Sequence, residues 1–269
     1  MRGWIGEVVA EAEADHSDQV VTGFAALDRA LGGALPVGPS VTQGAPGTGK
    51  TCLAQQIAGQ CGAAALFVAA EMRPVELFRR SIARTTYTAL SDLAELAGEE
   101  IRILAERTAT ALERFAMLDS SVEWATISDI RAGVTELRQV LETNAVLVVV
   151  DSLQVWARNI PCAAGDYEQI TAGVTQLREL AYELEVPLLL ISHRNRAGQK
   201  QGGMYAAKGT GDVEYAAEVM LELETGTASQ PDGRGEVPVT LTVLKNRRGP
   251  AGATIRLKFA GATQRFREG

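Results

Sequence analysis

The chain is poor in several things, and each shortage excludes a class of protein. It has three cysteines, Cys52, Cys61 and Cys162, with no C-x-x-C pair and no Cys/His cluster. That argues against a zinc site and against a disulfide framework, and leaves reduced structural thiols. No run is long and apolar enough to span a bilayer. The N-terminus, Met1-Arg2-Gly3-Trp4-Ile5-Gly6-Glu7, meets acidic residues too early for a secretory leader. A cytoplasmic location is the expectation. An excess of positive charge is also missing: the net charge is −7. This excludes a generally basic nucleic-acid coat but permits a local basic channel. Lysine is scarce beside arginine, with Lys50, Lys200, Lys208, Lys245 and Lys258 only. Arginine forks suit phosphate, although a GC-rich coding bias accounts for the same imbalance.

What remains is ordinary globular material, 46% hydrophobic and 22% charged over 269 residues. That length suits one large α/β domain or a core with an extension. Ile5 to Ala14 reads as a short helix with Ile5, Val8, Val9 and Ala12 on one face. A polar link follows, so we expect residues 1–19 as a linker-like extension and 20–269 as the compact domain.

One segment carries chemistry by itself. Gly44-Ala45-Pro46-Gly47-Thr48-Gly49-Lys50-Thr51 fits G-x-x-x-x-G-K-[ST] at every fixed position. The glycines let the backbone turn its N–H groups inward onto phosphate oxygens. Lys50 supplies a point charge for the β/γ-phosphates, and the Thr51 hydroxyl suits Mg²⁺. A strand at Ser40–Thr42 precedes the loop. A helix from Thr51 to Cys61 follows it, with its positive dipole end, Cys52 included, toward the anion.

Short apolar runs at Ser40–Gln43, Ala65–Ala70, Val146–Val150 and Pro187–Ser192 read as strands buried on both faces. Helical patterns at Pro74–Arg84, Thr126–Leu141 and Asp166–Leu184 lie between them. Thr126 and Asp129 are spaced as a capping box. Alternation of this kind predicts a mainly parallel twisted sheet flanked by helices. Val219–Glu224, Val237–Lys245 and Gly252–Phe259 read as further strands, added antiparallel at one edge.

Several polar residues sit at strand ends. Asp151 closes Val146–Val150, which is what a magnesium-holding acid beside a phosphate loop requires. Glu71 closes the second strand, where it could activate water, or equally serve as an acid in the first turn of a helix. His193 closes the Pro187–Ser192 strand, placed to sense a γ-phosphate or to sit solvated in a loop. Residues 194–211 form a long basic stretch with Arg194, Arg196, Lys200 and Lys208, suited to a nucleic-acid backbone or to a surface loop. Arg158 and Asn159 mark a second such segment. Lys245-Asn246-Arg247-Arg248 crowds cations that repel unless they meet anions, either a neighbouring subunit's nucleotide or solvent.

Taken together, these motifs resemble the RecA-like ATPases, and among them the helicase domain of DnaB-type replicative helicases. The likeness runs from about Val21 to Phe266. Val21-Thr22-Gly23-Phe24 is similar to the family's entry segment, and Glu71-Met72 with Leu77 and Arg80 to its catalytic-glutamate segment. Asp151-Ser152-Leu153-Gln154 resembles the extended acid motif. Ser192-His193-Arg194-Asn195-Arg196 stands where those helicases carry Ser-Gln-x-Asn-Arg, so His193 replaces glutamine. Gly209 to Glu218 resembles the segment after the DNA-binding loop. The resemblance implies a RecA-like core that binds ATP and Mg²⁺ through Lys50, Thr51 and Asp151. It makes Glu71 the general base and Lys245 and Arg247 the pair that acts across a subunit interface. It further implies single-stranded DNA as partner, a homo-oligomer (a hexamer in the ring form), and a replication or repair protein as a further partner. The helicases' primase-binding N-terminal domain finds no room here, and Ile5–Ala14 is placed like their linker helix. The same segments resemble the RadA/Sms branch, whose zinc finger and protease-like domain are not seen. A recombination or repair ATPase, or a DNA-independent regulatory ATPase acting on a protein, are the alternative expectations.

Overall fold

A computed structural model describes residues 19–161, 165–193, 211–226, 232–233 and 235–269. The short helix expected at Ile5–Ala14, and Arg194, Arg196, Lys200 and Lys208, lie outside the described residues, as does Cys162.

The elements in chain order are α1 (Ala25–Leu31), β1 (Gly38–Gly44), α2 (Lys50–Gln60), β2 (Ala64–Ala69), α3 (Pro74–Thr86), α4 (Leu90–Leu93), α5 (Gly98–Ala111) and β3 (Phe115–Asp119). They continue with α6 (Ile127–Val140), β4 (Val146–Asp151), α7 (Leu153–Ala157), α8 (Asp166–Glu183) and β5 (Pro187–His193). The last strands are β6 (Val219–Thr225), β7 (Glu236–Asn246), β8 (Thr254–Ala260) and β9 (Arg265–Glu268). A further helical turn spans residues 211–216.

Nine strands form one sheet in the order β3-β2-β4-β5-β1-β6-β7-β8-β9. The strands from β3 through β6 run parallel. Those from β7 onward alternate antiparallel. This corrects one expectation: β6 pairs in parallel with β1, so the antiparallel addition starts a strand later than the turn-rich sequence suggests.

Two apolar layers explain why the inner strands read as continuous hydrophobic runs. Leu147 and Val149 of β4 face one way, with Leu53 and Ile57 of α2 and Leu27 of α1. Val146, Val148 and Val150 face the other way, with Ile130 and Val134 of α6, Trp156 of α7 and Leu177 of α8. Every residue of β2 and β4 is buried, as a strand covered by helices on both faces must be. The capping box at α6 is present: the Asp129 N–H donates to Thr126 Oγ1 at 3.3 Å, and the Thr126 N–H donates to Asp129 Oδ2 at 2.8 Å.

Several elements are additional to those expected from the sequence. Strand β3 is an edge strand whose short apolar run, Phe115–Leu118, is only partly buried. Strand β9 is four residues with alternating arginines. Helix α5 buries only Thr108 fully, and its partly buried Ile101, Leu104 and Ala105 pack on a small satellite cluster around Ile82, Ala83 and Leu93.

Candidate functional site

Parallel strands end together, and ligands of open α/β sheets bind at that edge. Here β2, β4, β5 and β1 are consecutive neighbours, with Ala69 paired to Asp151 and Gly44 to His193. Residues scattered across the sequence are thereby set side by side. Both Ala70 N–H and Glu71 N–H donate to the Asp151 carbonyl, at 2.9 and 3.0 Å, which fixes where Glu71 leaves its strand. The Asp151–Ser152 peptide is cis.

The glycine-rich loop leaves β1 and enters α2 directly. Gly47 and Gly49 take φ of 79° and 91°, the left-handed region that glycine tolerates best. Gly44 is needed for another reason: a Cβ there would lie 2.4 Å from the Leu223 carbonyl oxygen of β6. The first amides of α2 have no intrahelical acceptor and point at the loop. Lys50 is buried, and its Nζ donates to the Gly44 and Ala45 carbonyls at 2.9 Å each. Burial lowers its pKa, opposed by the nearby Asp151 and Glu71 carboxylates.

Asp151 is 2% exposed. Burial is the main reason its pKa rises to about 6, with the Thr51 hydroxyl drawing it back down and Glu71 adding to the rise. Its Oδ1 is buried without a hydrogen-bond partner among the described residues. An orphaned acceptor oxygen beside a threonine hydroxyl is a donor set that fits a hard cation such as Mg²⁺. Among the described residues no group of three or more His, Cys, Asp or Glu side chains could hold a metal alone. A cation here would therefore need phosphate and water oxygens to complete its shell, as Mg²⁺ commonly does.

Glu71 and His193 meet at the mouth, Nε2 to Oε2 at 2.9 Å. Gln154 of α7 anchors the end of β5 from the other side. Its Nε2 donates to Ser192 Oγ at 2.8 Å, and its Oε1 accepts from the His193 N–H at 3.2 Å. The cleft between these groups has a volume of about 360 Å³. Pro46, Gly47, Gly49, Lys50, Thr51, Cys52, Glu71 and His193 line it, as do Met72, Arg80, Ile191, Phe259 and Gln264.

Phe259 and Gln264 are missed by sequence reasoning, because nothing local marks them. They arrive by tertiary packing. Phe266 exchanges both backbone bonds with the Gln56 side chain of α2, at 2.7 and 2.8 Å, and stacks on Phe259 at 4.4 Å between centroids. The Phe266 ring then lies so close under the loop that a Cβ on Gly49 would meet it at 2.8 Å. Cys52 faces this wall, its thiol donating to Gln264 Oε1 at 2.8 Å.

Lys245 and Arg247 are not in the cleft. In β6 the loop end is marked by Leu223, the partner of Gly44, while Asn246 of β7 pairs with Val219 at the other end. Both cations thus lie at the opposite end of the sheet from the chain's own phosphate loop. Lys245 Nζ donates to the Glu214 carbonyl at 2.5 Å, and Arg247 Nη2 to the Tyr215 carbonyl at 2.6 Å. Among the described residues no helix is long and apolar enough to cross a membrane.

Comparison with known proteins agrees with this geometry. The replicative DNA helicase DnaB of Leifsonia xyli is 25% identical over 97% of this chain and 59% of its own length. That of Geobacillus stearothermophilus is 24% identical over 92% of this chain and 56% of its own length. The chain thus spans little more than half the length of these relatives. The DNA repair protein RadA of Mycobacterium tuberculosis is 27% identical over 80% of this chain and 38% of its own length. Among solved structures, a DnaB-like replicative helicase studied with primase superposes with a TM-score of 0.78, at 19% identity, over 97% of this chain and 66% of that one. A KaiC-like protein of Pyrococcus horikoshii superposes with a TM-score of 0.59, at 16% identity, over 92% of this chain and 97% of that one, and shares the fold. The family described as the DnaB-like helicase C-terminal domain matches residues 19–268, so with its RecA-like sheet and its nucleotide-binding loop the chain belongs to that family.

Proposed function

We propose that this chain is an ATP-hydrolysing motor domain that moves along single-stranded DNA as a ring or filament of identical subunits, hexameric in the ring form. The observation that carries the reading is the split of the machinery. The loop, Glu71, Asp151 and His193 share one end of the sheet, while Lys245 and Arg247 stand at the other. A complete site then needs a neighbouring subunit.

In this reading the loop amides and Lys50 bind the β- and γ-phosphates, Lys50 exchanging its two carbonyl partners for phosphate oxygens. Thr51 and Asp151 hold Mg²⁺, which when bound neutralises phosphate charge. Glu71 takes a proton from the attacking water, and His193 holds the Glu71 carboxylate in place until the γ-phosphate competes for it. Lys245 and Arg247 of an adjacent subunit meet the charge that develops on the transferred phosphoryl group. Such fingers are worth ~10³–10⁵ in rate in well-studied nucleotidases. The basic stretch with Arg194, Arg196, Lys200 and Lys208 follows His193 in the sequence and is the segment we assign to DNA. A replication or repair protein is the further partner.

The RadA relative supports a second reading, a recombination or repair ATPase on the same machinery. Steady-state ATPase rate against single-stranded DNA concentration tests the proposal, with Lys50→Ala as blank. Saturable stimulation lost in Lys50→Ala is the expected result. A real rate that stays flat with DNA would overturn it in favour of a regulatory ATPase with a protein partner. Fork-unwinding and strand-exchange assays then separate helicase from recombinase.

A further inference from the structure

The end of the sheet that carries Lys245 and Arg247 is built around one buried acid. Glu218 directly precedes β6, and its backbone is pinned on both sides. Its N–H donates to the Pro39 carbonyl at 2.7 Å, and its carbonyl accepts the Arg247 N–H at 2.9 Å. Its side chain is 11% exposed. The Tyr182 hydroxyl of α8 donates to Glu218 Oε1 at 2.7 Å, and Arg247 Nη1 lies 3.5 Å from the same oxygen. Gly38, with φ of +100°, makes room for this meeting, since a Cβ there would sit 3.1 Å from both Glu218 Cγ and the Tyr182 ring. Strand β1 thus begins with a glycine that admits the acid and ends in the loop that binds phosphate.

We infer that Glu218, oriented by Tyr182, is a positioning residue that holds Arg247 for the neighbouring subunit's active site. The inference rests on the proposed action of Lys245 and Arg247 across the interface. A free arginine on a surface carries rotamer entropy, which a reaction using it must remove. Arg247 is 42% exposed in its side chain, so packing alone does not fix it. Glu218 and the Tyr215 carbonyl engage two of its nitrogens from the inner side. A guanidinium has five N–H donors, so others remain to face an incoming phosphate. The acid is itself held, its side chain by Tyr182 and its backbone by two hydrogen bonds. Pre-organisation of this kind lowers the barrier to reaction without adding a contact to the ground state.

The prediction is a split in the kinetics. Glu218→Gln keeps the shape and the acceptor for Tyr182 but loses the charge facing Arg247. We expect its kcat for ATP to fall about tenfold in the assembled protein with KM unchanged. Tyr182→Phe removes one hydroxyl and is expected to fall about threefold, and it keeps the inference testable if Glu218→Gln does not fold. The decisive readout is mixing. Lys50→Ala subunits have a dead site but intact cations. Added to Glu218→Gln subunits, they should raise activity per Glu218→Gln subunit toward that of wild type mixed at the same ratio. A role confined to a subunit's own fold would show no such rescue. Arg247→Ala is run in parallel. If Arg247→Ala is rescued and Glu218→Gln is not, or if Glu218→Gln has wild-type kcat, the assignment of Glu218 is overturned while the trans reading stands. If Arg247→Ala is not rescued, the trans reading fails and takes this inference with it.

Discussion

His193 and Glu71 meet across a strand that separates them: β4 lies between β5 and β2, yet His193 Nε2 is 2.9 Å from Glu71 Oε2. Both side chains are partly exposed, 37% and 42%, so the contact is a positioning one and not a buried pair. Glu71→Gln should lower the ATPase rate by about 10²–10⁴, the usual worth of a general base. Nucleotide binding, measured by fluorescence of a labelled ATP analogue, should be kept. His193→Gln retains an N–H donor, so it should stay within a few-fold of wild type. His193→Ala should lose about tenfold in kcat. Equal activity of the alanine and glutamine variants would remove His193 from the mechanism.

Two loop glycines should fail for different reasons. Gly44→Ala pushes a methyl to 2.4 Å from a backbone carbonyl that cannot swing aside. Overpacking of this kind costs roughly 1–3 kcal/mol. Gly47 has open space around its Cβ position but a φ of +79°, so Gly47→Ala suffers backbone strain only, about 1 kcal/mol. Urea unfolding midpoints should rank wild type above Gly47→Ala above Gly44→Ala. The reverse order of the two variants would contradict the close approach of β1 and β6.

Asp151 gives a pH signature in metal-free protein. An acid whose folded pKa is raised holds its proton more tightly when folded. Its penalty therefore sets in above the ordinary value of 3.8 and is complete once pH has risen through about 6. Asp151→Asn cannot ionise. In the presence of a chelator it should match wild type near pH 4 and be more stable at pH 7.5, by on the order of 1–3 kcal/mol. Excess Mg²⁺ and nucleotide should narrow that gap by binding the wild type more tightly than the variant. A gap that is independent of pH would mean the carboxylate is not the source.

Arg84 is a buried cation with little to hold it. It is 7% exposed, and among the described residues its Nη2 reaches only the Ser81 hydroxyl, at 3.3 Å, and its Nη1 has no hydrogen-bond partner. Burial lowers its pKa to about 10, so it stays charged at neutral pH and carries its desolvation cost there. Replacing a poorly paired buried charge by an apolar side chain of similar length is often neutral or stabilising. Arg84→Met should unfold at the same urea concentration or a higher one, with a gain of up to about 2 kcal/mol. A loss larger than 1 kcal/mol would show that the guanidinium is held by more than Ser81.

The residues that name the chemistry were legible because their jobs are local. A phosphate loop must pack its glycines, Lys50 and Thr51 into eight consecutive residues. An acid that serves a loop from a neighbouring strand must follow an apolar run, as Asp151 does. Buried parallel strands must be apolar on both faces, so β2, β4 and β5 announced themselves to within one residue at each end, while β1, with Ser40 and Thr42 buried, was marked by the loop it enters. Only the fold could decide what depends on distance between remote segments. The Glu71–His193 contact follows from strand order, which leaves a single strand, β4, between β2 and β5. The aromatic wall under Gly49 comes from a hairpin more than two hundred residues further on, joined to α2 through Gln56 and Cys52. The placement of Lys245 and Arg247 away from their own loop is set by the direction of β7 against β6, which no local pattern of those cations records. Sequence fixes the types of residue a reaction needs within one turn or one strand. Topology decides which of them share an edge, because the sheet alone converts separations along the chain into neighbours in space.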